Sequence, residues 1–334
     1  MQKYYSLLFF ILSTSLYAND KITAWVAPLA DRSLLLDIAV IDSNKLVAVG
    51  EFGHVLLSSD GKKWQQSNVP SRSTLTSVFF LTPKLGWAVG HDATILNTLD
   101  GGVTWHVQQF LPELEKPLFD VVFKDSLNGI AVGSYGLFFQ TSDGGQTWRN
   151  TFHDSFLHPD DAEYLNDLKA DDEDAYLDER DGILPHFNRI AVSNNSIYLA
   201  GEIGLLAKST DFGHSWQKID EIYQGSFFDI ISITKRVLLV CGLRGNIFRS
   251  TDDGQSWQHI SSDTSSLLNS IVINPDGIVT ILGNNGVMLK SSDQGQTFTK
   301  HVEADGKSLV DGVWYNNELL VVSDIGIKHL TLLK

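Results

Sequence analysis

Cysteine is nearly missing from this chain. Cys241 is the single thiol in 334 residues, so no intramolecular disulfide can form and the fold must rest on a packed core. A lone Cys of this kind is expected to be buried and inert. Cationic side chains are scarce too: 25 Lys and Arg stand against 40 Asp and Glu, for a net charge of −15. Phosphate backbones call for clustered Lys and Arg, which excludes nucleic acid as an expected partner. After residue 18 there is no apolar run long enough to cross a bilayer as a helix. What remains is 43% hydrophobic and 19% charged, an ordinary globular composition with length for a large core or a repeat array.

The first residues read as a secretory signal. Lys3 is the positive end, Leu7 to Leu12 the apolar core, and the small residues ending at Ala18 suit a cleavage site. We expect a signal peptide over 1–18, with residues 19–334 forming one domain in the periplasm or outside the cell. No Cys follows Ala18, so lipid attachment there is not expected.

One string dominates the rest. Thr141-Ser142-Asp143-Gly144-Gly145-Gln146-Thr147-Trp148 recurs as copies centred on Asp60, Asp100, Asp211, Asp252 and Asp293. The aromatic that ends each copy is Trp64, Trp105, Trp148, Trp216, Trp257 or Phe298, at spacings of 41, 43, 68, 41 and 41. Apolar strands ending in Gly-x-x-Gly keep the same period, at Gly50/Gly53, Gly133/Gly136, Gly201/Gly204, Gly242/Gly245 and Gly283/Gly286, with variants at Gly90/Ala93 and Ser323/Gly326. Glycine suits the positive φ of such hairpins. Each unit therefore reads strand, turn, strand, hairpin, strand, aspartate turn, strand. In the third unit these are Phe119–Phe123, Gly129–Val132, Leu137–Thr141 and Trp148–Thr151. A four-stranded unit of about 40 residues repeated radially signals an all-β, seven-bladed β-propeller.

Seven hairpins face six aspartate turns, so the last unit lacks a fourth strand. Trp25 sits 39 residues before Trp64. Ile22–Val26 is therefore expected to pair with the C-terminal blade and close the ring, which protects otherwise open edges. The long spacing of 68 marks an acidic insertion over about 152–186, between blades three and four. Leu165, Leu168, Tyr176 and Leu177 give it an apolar side, and we expect a partly helical loop on the face of the Gly-x-x-Gly hairpins.

The aspartate turn reads as structural. Its carboxylate accepts nearby backbone N–H groups, the Ser or Thr two residues earlier adds a bond, and the glycine two residues later takes the left-handed position. The Trp starts the outer strand and buries its ring between blades. One carboxylate per turn is thin for calcium, which takes six to eight oxygens.

The S/T-x-D-x-G-x-T/S-W turn resembles the Asp-box of bacterial neuraminidase repeats. Joined to the preceding hairpin, as in Ala131-Val132-Gly133-Ser134-Tyr135-Gly136, it resembles the photosystem II stability and assembly factor family. That resemblance covers nearly all of the chain after the signal. It implies a seven-bladed propeller without enzymatic activity that binds a membrane protein during assembly, or acts with a transporter. Photosynthetic members use an arginine-rich patch; the eight arginines here, at 32, 72, 149, 180, 189, 236, 244 and 249, do not carry it over.

The alternative is a carbohydrate-active, glycosidase-like propeller. The inner strands start with Asp37, Ser77, Asp120, Arg189, Asp229, Ser270 and Asp311. One arginine in seven does not make a sialidase clamp. The four aspartates either bond neighbouring backbone or form an acidic ring able to hold a cation or to act as paired carboxylates. Pigment or lipid binding is a remoter reading. His54, His91, His153, His158 and His186 lack metal-ligand spacing and are expected to be exposed loop residues. No catalytic residue, metal or other cofactor is expected, and the protein is expected to be a monomer. The partner-binding surface is placed at Glu51, Phe52, His91, Asp92, Tyr135, Glu202, Arg244, Asn284 and Asn285 on the hairpins, and at Asp171, Asp172, Glu173 and Asp174 on the insertion.

Overall fold

The computed structural model describes residues 23–330 except position 194. The expected signal peptide and its expected cleavage site fall outside the described residues. Seven antiparallel sheets follow one another, each laid out in chain order. Blade one is β1 (Leu35–Asp42), β2 (Lys45–Gly50), β3 (Val55–Ser58) and β4 (Gln65–Gln66). Blade two is β5 (Leu75–Phe80), β6 (Gly86–Gly90), β7 (Thr94–Thr98) and β8 (His106–Gln109). Blade three is β9 (Leu118–Phe123), β10 (Gly129–Gly133), β11 (Phe138–Thr141) and β12 (Arg149–Asn150), close to the strands expected from sequence. Blade four is β13 (Phe187–Ser193), β14 (Ser196–Gly201), β15 (Leu206–Ser209) and β16 (Gln217–Lys218). Blade five is β17 (Phe227–Ser232), β18 (Leu238–Gly242), β19 (Ile247–Ser250) and β20 (Gln258–Ile260). Blade six is β21 (Leu268–Ile273), β22 (Val279–Gly283), β23 (Val287–Ser291) and β24 (Thr299–Val302); blade seven is β25 (Leu309–Tyr315), β26 (Glu318–Ser323) and β27 (Gly326–Leu330).

The second strand of each blade is sandwiched between neighbouring sheets. Strands β6, β10, β18 and β22 are buried along their whole length, which is why they read as unbroken apolar runs. The core is divided into seven clusters, one per seam between blades. The aspartate-turn aromatics fill six of them, Trp105 for instance between blades one and two, and Phe298 between five and six. At about 25 cal/mol per Å² of apolar surface removed from water, these seams are the main stabilising term.

The ring closes differently from the sequence expectation. Ile22 lies outside the described residues, and Thr23–Val26 are neither a strand nor on blade seven. Ala24 donates its N–H to Val69 O at 2.7 Å. The Gln66 side chain donates to Trp25 O and accepts from Ala27 N–H. The segment thus clasps blade one. No Ser-x-Asp-x-Gly turn precedes Trp25 to launch an outer strand, so its spacing from Trp64 carries no structural repeat. Closure comes from packing of blade one on blade seven: Leu35, Ile38, Leu46 and Leu56 meet Tyr315, Leu320 and Val322. Tyr315 adds a hydroxyl bond to Ser59 O at 3.0 Å.

The insertion folds as two helices, α1 (Pro159–Asp171) and α2 (Glu173–Ile183). Leu165 is buried, while Leu177 is exposed. Gly136 N–H donates to Pro185 O at 2.9 Å, which seats the insertion on the hairpin face as expected.

Candidate functional site

Strand alternation sorts the loops onto two faces. Hairpins between second and third strands, with the insertion, lie on one; the aspartate turns lie on the other.

On the second face the turns behave as read. Asp143 Oδ1 accepts Thr147 N–H at 2.9 Å, Oδ2 accepts the Thr147 hydroxyl at 2.7 Å, and Thr141 Oγ1 donates to Oδ1 while accepting Gly145 N–H. Asp100, Asp211, Asp252 and Asp293 repeat the pattern, and the shortened copy at Asp60 accepts Lys62 and Lys63 N–H. The donors hold the Asp143 carboxyl down at about 2, the Thr147 N–H first among them. With its acceptor capacity used internally, this motif has little left for a ligand.

The hairpins are built alike on the other face. Their first glycine is extended, at φ −176° for Gly50, so positive φ is not what it supplies. A Cβ there would lie 2.2 Å from Leu34 O, and 2.2 Å from Pro117 O at Gly133; glycine is needed for close approach of the preceding connection. The second glycine does have positive φ. So does the residue before it, which forms the tip: Phe52, Asp92, Tyr135, Ile203, Arg244 and Asn285, at φ 52–59°. Phe52, Tyr135 and Ile203 are 50%, 48% and 70% exposed.

Candidate residues one place before the tips do other work. Glu51 accepts Leu34 N–H at 3.2 Å, Glu202 accepts His186 N–H at 3.3 Å, and Asn284 accepts Asn269 Nδ2 at 3.0 Å. These three brace the hairpin against the entry to the inner strand. Asp92 accepts the Ser73 hydroxyl at 2.6 Å, while His91, Arg244 and Asn285 are exposed. Asp171, Asp172, Glu173 and Asp174 are exposed as a block on the insertion, and Asp172 caps α2 by accepting Ala175 N–H. Sequence reasoning missed Ile203, although it shares the tip register of Phe52 and Tyr135.

Three of the four central aspartates clamp backbone across a seam, and the fourth, Asp311, accepts the Ser270 hydroxyl. Asp37 accepts its neighbour Ile38 N–H and, across the seam, Val78 N–H at 2.7 Å. Asp120 reaches Ile190 N–H at 2.8 Å, and Asp229 reaches Ile271 N–H. Arg189 sits among them, with Nε 3.1 Å from Asp229 and its other nitrogens 3.7 Å from Asp120 and 4.0 Å from Asp311. Burial raises the Asp37 carboxyl well above the usual range, and the charge of Asp311 adds to the rise; Arg189 and Val78 N–H oppose it. Burial would lower Arg189, but the four carboxylates outweigh it and hold its pKa well above the ordinary value.

Above this ring a cavity of about 370 Å³ opens at the hairpin face, bordered by Phe119, His186, Asn188, Phe228, Asn269 and Val310. His186 meets Tyr135 edge-on at 4.6 Å. The histidine expectation needs correction: His54 and His153 are buried, not exposed. Ser33 Oγ lies 3.0 Å from His54 Nδ1, and His153 packs on Phe138 at 4.3 Å. Burial lowers the His153 imidazole to about 4. Among the described residues no group of three or more His, Cys, Asp or Glu is placed to hold a metal. Cys241 is buried.

Known proteins share this architecture. The model of the family described as photosynthesis system II assembly factor YCF48 matches residues 56–116 and 108–280, well over half of the chain. A photosystem II assembly protein Ycf48 from Synechococcus sp. (strain JA-2-3B'a(2-13)) is 46% identical over 54 residues, 16% of each chain. The matched stretch thus spans about a sixth of that relative. A solved structure described as YCF48 bound to D1 peptide superposes with TM-score 0.68 over 91% of this chain and 95% of that one, at 18% identity. YCF48 from Cyanidioschyzon merolae gives 0.67 over 90% and 96%, at 16% identity. At such identities the likeness is one of fold.

Proposed function

The chain belongs to the photosystem II assembly factor YCF48 family, and from that premise we propose that it is an exported, non-catalytic assembly factor. It docks a segment of a membrane-protein partner on its hairpin face. Hairpins of one backbone design display Phe52, Tyr135, Ile203, Arg244 and Asn285 on rigid left-handed tips, and variable side chains on a fixed scaffold are what recognition needs. Ile203 carries the reading: a β-branched residue at φ 52° is strained, and at 70% exposure its side chain gains little burial in return. A relative of this fold is described as bound to a peptide. The carboxylates that a glycosidase reading would use are taken up by backbone clamps and Arg189.

The acidic insertion beside the hairpins favours a basic surface on the partner. The test is capture of an integral membrane protein, identified by mass spectrometry, from detergent extract of the native membranes. Asn at 171, 172 and 174 with Gln at 173 removes the charge and keeps the cap on α2, since Asn caps as well as Asp. Capture should fall several-fold in this variant and with rising salt. Capture indifferent to both would overturn docking through the insertion.

A further inference from the structure

Every inner strand carries a β-bulge at the same place. The register skips one residue between Leu35 and Asp37, between Leu75 and Ser77, between Phe187 and Arg189, and at the matching place in the other four blades. The residue before each bulge is a Leu or Phe fully buried in a seam. The residue after it is the central position at the axis. A bulge adds one residue to a strand and re-aims its side chain. Here the seven re-aimed side chains all border the axial cavity of about 370 Å³ at the hairpin face. Seam packing uses the residues on either side, so the one between them is free to serve the cavity.

The seven divide by chemistry. Thr76, Asn188 and Asn269 tie neighbouring blades. Thr76 Oγ1 donates to Leu118 O at 2.6 Å, Asn188 Nδ2 to Phe227 O at 2.7 Å, and Asn269 Nδ2 to Leu309 O at 2.8 Å. Each amide nitrogen is thus fixed on a carbonyl, which leaves Asn188 Oδ1 and Asn269 Oδ1 as acceptors. Neither accepts a hydrogen bond among the described residues. Leu36, Phe119, Phe228 and Val310 make up the rest. They are half-buried and form an apolar collar that includes two aromatic rings.

Below the collar the floor is negative. Arg189 and Asp311 border the cavity, and the guanidinium of Arg189 stands among four carboxylates. With a proton held at Asp37, three carboxylates still face one cation. A carboxylate entering the mouth would be repelled, and a purely apolar group would leave the two amide oxygens without donors. A cation on an apolar stem suits all three features. The four-carbon stem of a lysine can lie along the collar. Its ammonium carries three donors and no acceptor, and it is attracted to the faces of aromatic rings.

We propose that the axial mouth is a receptor for a lysine side chain on the segment that the hairpin face docks. The stem lies against Leu36, Phe119, Phe228 and Val310, and the ammonium is held by Asn188 Oδ1, Asn269 Oδ1 and the carboxylates of the floor. This rests on the hairpin face being the docking surface, and it names the chemistry of the anchor. The bulge ring then reads one partner residue at the axis, while the tips and the insertion meet its surroundings at the rim.

The probe is Nα-acetyl-lysine N-methylamide, titrated into the full chain and followed by the methyl NMR signals of Leu36 and Val310. Both should shift saturably. The norleucine analogue, which keeps the stem and lacks the ammonium, and the glutamate analogue should each bind at least about tenfold more weakly. Leu36→Lys supplies the mouth with an ammonium of its own. It should weaken probe binding, read at Val310, by about tenfold or more, and it should lower capture of the membrane partner. The proposal is overturned by the absence of a saturable shift, or by equal affinity for the norleucine or glutamate analogue. Tighter binding of the arginine analogue would overturn lysine as the occupant. Probe binding or capture left unchanged by Leu36→Lys would equally overturn the proposal. If Leu36→Lys does not fold, the series of analogues still decides. If the parent captures no membrane protein, the docking reading fails, while the titration still decides the chemistry of the mouth.

Discussion

Ile203 is held in a conformation that costs a β-branched residue on the order of 1–2 kcal/mol, yet its side chain is largely in water. Asn tolerates left-handed φ far better. Ile203→Asn is therefore expected to raise stability by about 1 kcal/mol in urea denaturation and, at the same time, to weaken capture of the membrane partner. Opposite signs in the two measurements mark a residue kept for recognition. A loss of stability, or unchanged capture, would remove Ile203 from the docking surface. The tips also show why the first glycine of each hairpin was only half legible. Its identity was readable from the repeat, but its cause is the carbonyl of a distant connection, Pro117 O against Gly133, which becomes visible once the blade is folded.

The aspartate turn is an element that satisfies itself, and its acid response follows. Asp143, Asp211 and Asp252 titrate at about 2 in the folded protein, below about 3.9 for a free Asp. The unfolded chain therefore takes up protons first. Stability from these turns is present above about pH 4 and is lost as pH falls toward about 2. Thermal melts across that window should fall less steeply for Asp143→Asn than for the parent. An identical slope would mean that the hydrogen bonds of the turn contribute nothing to the acid limb. This element was fully legible in sequence because its partners lie within four residues of the aspartate. The clasp at Ala24–Val69 was not, because its two halves are held together by the blade between them.

The whole ring is pinned at its axis by a charge imbalance, four aspartates around one arginine. The guanidinium of Arg189 is 24% exposed and touches three of the carboxylates. Arg189→Met should cost about 3 kcal/mol, the lower end for stripping the partner from buried charge, read as a shift in the denaturation midpoint. The ring also has a pH response opposite in sign to that of the turns. Burial, reinforced by Asp311, raises the Asp37 carboxyl, so its contribution is present below about pH 4 and is lost as pH rises through the raised value. Asp311→Asn removes the neighbouring charge while keeping an acceptor for Ser270. Its melting temperature should depend less on pH above about 4 than the parent's. A parallel pair of curves would show that the charge of Asp311 does not act on Asp37.

The sequence by itself determined the blade count, the strand order and the structural role of the aspartate turn, because each depends on residues repeated at short range and one fixed period. It also placed Phe52, Asp92, Tyr135, Arg244 and Asn285 on the hairpins, where they prove to stand at the left-handed tips. Tertiary structure decided what the period does not encode. It turned Glu51, Glu202 and Asn284 into braces, buried His54 and His153, and gathered Asp37, Asp120, Asp229 and Asp311 around Arg189. The aspartates and the arginine come from different blades and meet only when the ring assembles, and each brace joins a hairpin to a residue some 15 or more positions away that only the folded blade brings near. Closure likewise decided the fate of Trp25: a spacing of 39 residues imitates the repeat, but without the turn before it the chain follows the nearest unpaired backbone groups, which are those of blade one.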